Sequence, residues 1–361
     1  MKSQPEPVAW DVAEQVAGRV AGRTDIRVDW ATLRGLVTDF QEVTAQAEEL
    51  VEASTGLRSL VGPARAQVST REEWIHANVS SFRRLLGPVL ERAGKSGHNL
   101  PGLLGPVGRV AAGAEMGVVL GWMSGRVLGQ YDLLFAEGDS PQDAVYYVGP
   151  NIVSLERRHG FDPHEFRLWI ALHELTHRAQ FTGVPWLRAH FLALVEHSVA
   201  IASPDPRQVL DALGRMAIDI RSGRNPLAES GLVGALASPE QLETLRSIQG
   251  MMSLLEGHGD VTMDRAAADL IPSAARFSQV LRSRRESATG LTRFFQQVIG
   301  LEAKLRQYAD GERFVREIER TGGPELLALA WQRPENLPST AEIKAPDRWA
   351  SRVQGLALEP G

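Results

Sequence analysis

Residues 162–177 constrain this chain more than any other passage. The run Asp162-Pro163-His164-Glu165-Phe166-Arg167-Leu168-Trp169-Ile170-Ala171-Leu172-His173-Glu174-Leu175-Thr176-His177 opens with an acid able to cap a helix, a proline suited to the first helical position and a glutamate that can close a capping box. A helix with a defined start follows. Phe166, Trp169 and Ile170 lie on the histidine side and Leu168, Leu172 and Leu175 lie opposite, so the helix is expected to be buried nearly all round. Such a helix must sit at the centre of a fold, where two histidines and a glutamate are costly without a partner such as a metal. His173 and His177 fall one turn apart on one face, the geometry for two imidazoles on one zinc ion, with Glu174 one step around the helix.

Composition narrows what can complete such a site. The chain has no cysteine among its 361 residues, which excludes disulfides, thiolate zinc sites, iron–sulfur clusters and cysteine nucleophiles together. A transition metal must therefore be held by the nine histidines and the carboxylates. A catalytic zinc site takes three protein ligands and leaves a fourth position to water. Extension of the motif to a third histidine is absent, because Gln180 stands where that pattern has its glycine. Two carboxylates compete for the place. Glu196 follows His177 after eighteen intervening residues, in an expected helix over residues 186–201 whose apolar pattern does not require it to face inward. Glu256 follows after seventy-eight and lies four residues before Asp260, so on one helical face Glu256 can bind zinc while Asp260 accepts the free N–H of a ligand histidine. His258 is a further alternative. Gly250, Gly257 and Gly259 weaken this helix and point to close approach by another backbone.

Elsewhere the pattern is mostly helical. Helical spacing of apolar residues marks residues 8–22, 30–55 and 70–93, the last opened by a capping box within Ser69-Thr70-Arg71-Glu72-Glu73, Ser or Thr followed three residues later by Glu. Residues 94–102, rich in turn formers, read as a linker. Residues 107–128 are apolar, but Arg109, Glu115 and Arg126 leave no uncharged run near the ~20 residues of a membrane span. Glycines 113, 117, 121, 125 and 129 instead form one stripe where a second backbone can pack. Residues 144–148 are the best strand, residues 291–320 a late helix, and the proline-bearing tail from Arg333 is expected to wrap over the surface. The fold class is mainly α with a small β-sheet. A helical N-terminal region over residues 1–98 and one large catalytic core over 99–361 is the expected division. A net charge of −5 offers no general attraction to nucleic acid or an anionic membrane, and the first residues lack a secretory apolar stretch, so a cytoplasmic protein is expected.

With these residues in view, the chain resembles the bacterial zincin-like metallopeptidase family, some members of which are associated with biosynthesis of the deazaflavin redox coenzyme. The resemblance runs from about Trp10 to Val353. It is carried by Gly121-Trp122-Met123-Ser124, Val127 to Asp132, Val148-Gly149-Pro150-Asn151-Ile152, Ala171 to Phe181, Leu254-Leu255-Glu256-Gly257-His258 with Met263-Asp264, and Trp331 with Pro334-Glu335-Asn336-Leu337-Pro338. It implies a zincin-like core with His173, His177 and Glu256 on one zinc per chain and Glu174 as general base. The chemistry expected is hydrolysis of a peptide or protein substrate, with Glu174 taking a proton from a zinc-activated water. Tyr131, Tyr146, Tyr147, Tyr308, His197 and His258 are candidates for stabilising the oxyanion. If residues 144–148 form a sheet edge, an extended peptide is favoured over a compact substrate. A zinc-binding but catalytically silent interaction module is the alternative, and a structural protein with an accidental motif is the third reading.

Overall fold

The computed structural model describes residues 6, 8–22, 28–95, 105–131, 144–200, 239–268, 270–286 and 301–358. The described chain is helical apart from one three-stranded sheet and forms two compact units, the first of residues 1–183 and 262–281, the second of residues 184–261 and 282–361. No described helix is long and apolar enough to cross a membrane.

The first unit is built around the sheet. Strand β1 (Arg65–Ser69) pairs in parallel with β3 (Ala144–Val148), and β2 (Gly129–Tyr131) pairs antiparallel on its other side, giving the order β1-β3-β2. Residues 144–148 are therefore the central strand and not an edge. All five are buried, as a short continuous apolar run covered on both faces should be. Among the described residues the edges are β1 and β2, the second too short to announce itself in the sequence. On one face lie α2 (Trp30–Thr55) and α6 (Pro163–Gly183), with Phe40, Val43, Tyr147, Phe166, Leu168 and Leu172 in their shared core. On the other face, α1 (Trp10–Ala21), α3 (Arg71–Lys95) and α4 (Pro106–Ser124) pack around Trp10, Trp74, Leu120 and Val148. Residues from the first 98 thus supply a strand and three helices to this unit.

The capping box expected before α3 forms between Thr70 and Glu73: the Glu73 amide donates to Thr70 Oγ1 at 3.1 Å and the Thr70 amide donates to Glu73 Oε2 at 2.7 Å. The glycine stripe also has its expected use. A Cβ on Gly113, Gly117 or Gly121 would lie 2.3, 2.4 or 2.5 Å from the carbonyl oxygen of Ala9, Ala13 or Ala17, so glycines of α4 face alanines of α1 at backbone contact. The stripe is shorter than the sequence pattern, since α4 ends at Ser124 with Gly125 capping it, and Gly129 falls in β2. The linker expected over 94–102 lies mainly outside the described residues.

The second unit contains α7 (Leu187–Ala200), most of α8 (Pro239–Ala267), α10 (Leu301–Ala328), α11 (Thr340–Lys344) and α12 (Pro346–Leu358); α9 (Ala274–Glu286) is shared out at Leu281. From Thr262 onward α8 belongs to the first unit, where Met263 joins the core. Gly250 and Gly257 confirm the close approach expected of them: their Cβ atoms would meet Pro338 O at 2.3 Å and Gly311 C at 2.1 Å. The tail corrects its expectation. Ile343, Trp349 and Val353 are core residues packed with Phe314 and Ile318, so the segment from Arg333 closes a hydrophobic core where a surface wrap was expected. Buried Asn336 locks the turn, donating to Leu329 O at 2.6 Å while its own carbonyl accepts the Trp349 indole at 2.7 Å.

Candidate active site

The helix that carries His173, Glu174 and His177 is held in place along its length. At its start, Asp162 accepts the Glu165 amide at 3.0 Å, whereas the Glu165 carboxylate turns to the Ser273 amide at 3.0 Å in place of closing a box. Arg167 grips Glu156 of α5 (Gly149–His159) through two parallel bonds of 2.8 and 2.9 Å and also reaches Asp39 of α2. Arg178, 1% exposed, pairs with Glu48 of α2 and donates to the Gly62 carbonyl. Asp39 with Arg167 and Glu48 with Arg178 advance together along both helices, so α2 and α6 run side by side in one direction. Removing Glu48 would deprive the buried Arg178 guanidinium of its carboxylate, a cost that fixes α6 in register as well as in depth.

On this fixed helix the two histidines converge. Their Nε2 atoms are 3.3 Å apart and their rings stand nearly perpendicular, with centroids 4.6 Å apart. Two nitrogens bound at about 2.05 Å to a tetrahedral zinc are separated by about 3.3 Å, so the pair fits that ion. The same separation lets one ring donate to the other. His177 Nδ1 lies 3.0 Å from Gln180 Oε1. In the tautomer in which Nδ1 donates to that amide oxygen, the lone pair of Nε2 is directed away, as a metal ligand requires. Gln180 is fully buried. It was legible from the sequence only as a departure from a glycine pattern, although its position three residues after His177 places it on the same face. Gln180→Leu is expected to weaken zinc affinity 10–100-fold with the fold intact, measured by competition with a chromogenic chelator; unchanged affinity would remove Gln180 from the site.

Glu174, 8% exposed, is set against strand β2. Its Oε2 accepts the Tyr131 amide at 3.1 Å, and its side chain lies where a Cβ on Gly129 would be. Tyr131 itself stacks toward Phe181, ring centroids 6.5 Å apart. Of the other candidate hydroxyls, Tyr147 is a core residue: it stacks on Phe40 at 3.9 Å and shares a 2.8 Å hydrogen bond with Thr44. Burial pushes its phenol up, and the nearby Glu174 carboxylate pushes it further against the opposing Thr44 bond. The phenol stays neutral, but it is fully buried in the core and engaged with Thr44, which takes it out of reach of a substrate oxyanion. The side chain of Tyr308 lies outside the described residues.

The remaining candidates lie on the second unit. Glu256 and Asp260 are both half-buried, one turn apart on α8. Glu196 is exposed on α7, as is His197. His258 is buried against Trp331 in an edge-to-face contact at 5.2 Å, which gives it a packing role in its own unit.

A family model for zincin-like metallopeptidases matches residues 8–350, and the chain belongs to that family. A crystal structure from Chloroflexus aurantiacus, described provisionally as a hydrolase with a novel fold, is 31% identical, with a TM-score of 0.71 over 98% of this chain and 100% of its own. No curated protein matches.

Proposed function

We propose that the protein is a zinc-dependent peptidase in which His173, His177 and Glu256 hold one zinc per chain and Glu174 is the general base. The observation that carries this reading is the convergence of His173 and His177 at zinc-ligand separation on the helix that aims Glu174 at a sheet edge. His173, His177 and Glu256 are also the one group of histidine and acidic side chains among the described residues that could hold a metal ion, each offering one ligand atom. Family membership and the hydrolase description of the Chloroflexus protein agree with it.

Zinc, when bound, supplies Lewis acidity toward a water and a substrate carbonyl. The chain supplies the rest. Gln180 holds His177 in the ligating tautomer, and Asp260, one turn from Glu256 on α8, is the proposed acceptor for the free N–H of a ligand histidine. Glu174 accepts the proton of the attacking water at its carboxylate and later delivers it to the leaving amine. Strand β2, at the edge of the sheet beside Glu174, offers backbone groups to an extended peptide or protein segment, which favours that substrate class. Retention of Glu174 beside the ligand pair favours an enzyme over a silent binding module.

The test is a digest of a broad peptide library. Cleavage is expected from the zinc-loaded protein, lost on chelation and restored by one equivalent of zinc; cleavage indifferent to chelator would overturn the reading.

A further inference from the structure

Strand β2 has three residues, too few to hold its place by backbone pairing alone. Other groups pin it. Gln130 faces α3, where its Oε1 accepts the Trp74 indole N–H at 2.7 Å and its Nε2 donates to Asn78 at 3.1 Å; Asn78 in turn donates to the Trp74 carbonyl at 2.8 Å. Just before the strand, buried Asn151 donates to the carbonyls of Ser124 and Val127 at 2.7 and 2.6 Å while accepting from Arg71 at 2.8 Å. Alternation along the strand turns Gly129 and Tyr131 to the opposite face, toward α6. There a Cβ on Gly129 would lie 2.5 Å from Glu174 Cγ and 2.7 Å from Oε1, closer than a real Cβ comes to an atom it is not bonded to.

We infer that Gly129 is a positioning residue for the base: its missing side chain makes the seat in which the Glu174 carboxylate reaches the Tyr131 amide. The strand cannot retreat to admit a side chain, because Gln130 and Asn151 hold it from behind and from its entry. Glu174 would have to move instead and lose the amide. With Oε2 fixed on Tyr131, the direction of the whole carboxylate is set, which is what a base must have to meet a proton at hydrogen-bond distance. The catalytic half of this inference rests on the peptidase reading; the seat itself does not.

The experiment compares full-length wild type with Gly129→Ala and Glu174→Ala. Amide hydrogen exchange at Tyr131 is read by NMR, beside zinc content, circular dichroism and peptide cleavage. Gly129→Ala is expected to keep its fold and zinc, to speed Tyr131 exchange roughly tenfold or more, and to lower kcat by about 10²-fold with KM little changed. Glu174→Ala should speed the same amide. Protection of Tyr131 unchanged in a folded Gly129→Ala would overturn the inference, whatever Glu174→Ala does. If Gly129→Ala does not fold, Gln130→Ala loosens the strand from the far face and should speed the same amide; failure to do so counts against the proposal. A wild type that cleaves no peptide, with Tyr131 exchange still responding to both variants, supports the seat and overturns only the peptidase reading.

Discussion

Purified protein is expected to carry about one zinc per chain, and His173→Ala and Glu256→Ala to carry almost none, while Glu196→Ala keeps a full complement. The contrast follows from where these side chains stand. His173 contributes one of two nitrogens already spaced for a tetrahedral ion, and its loss leaves His177 as the one ligand that its helix supplies. Glu256 is half-buried and belongs to the group that could hold a metal; Glu196 is exposed on α7. A zinc site held by three protein ligands has no spare one, and apparent zinc affinities of folded sites amount to about 10–16 kcal/mol, so removing one anionic ligand cuts deeply into a sum with few parts. Metal analysis after dialysis against a weak chelator checks it, with circular dichroism confirming that each variant folds. Zinc retained by Glu256→Ala and lost by Glu196→Ala would move the third ligand to α7. A protein without zinc in every form would remove the metal centre altogether.

How far the sequence reached depended on the length over which each signal was spread. Helices α2, α3 and α6 were readable because caps and apolar spacing recur over many turns, and α2 begins and ends at the residues its pattern predicts. Glycines 113, 117 and 121 carried a true message about close packing, since every fourth residue of a helix shares a face whatever lies opposite. Gly129 continued the same count by coincidence and does something else, because the chain leaves the helix at Ser124. Strands β1 and β2 were missed for a related reason. The first alternates over five residues with small apolar groups, and the second has three, below the length at which alternation says anything. With them went both edges of the described sheet, the place residues 144–148 were expected to take. At the site, His173, Glu174 and His177 were visible because one helix sets their spacing. Gln180 and the Tyr131 amide were not, since a hydrogen bond to a ring nitrogen or from a backbone N–H leaves no spacing in the sequence. The tail misled because its prolines suggested an irregular surface path, whereas Pro346 opens a helix that buries Trp349.

Glu174→Gln is expected to leave zinc content, fold and Tyr131 contact in place and to abolish most peptide cleavage. The amide has the size of the carboxylate, and its oxygen can still accept from Tyr131, so the seat beside Gly129 remains filled. What disappears is the ability to take a proton. General base catalysis contributes about 10²–10⁴-fold, or roughly 3–5 kcal/mol of barrier at 1.36 kcal/mol per tenfold. The loss should appear in kcat, because Glu174 is asked to act on the water and the leaving amine and not to bind the peptide. Gly129→Ala and Glu174→Gln should then fail to add: once the base cannot accept a proton, displacing it costs little more. Comparison of the two single variants and the double variant on one library peptide measures this directly. Equal cleavage by wild type and Glu174→Gln would take the proton-transfer role away from Glu174, and full additivity would separate Gly129 from it.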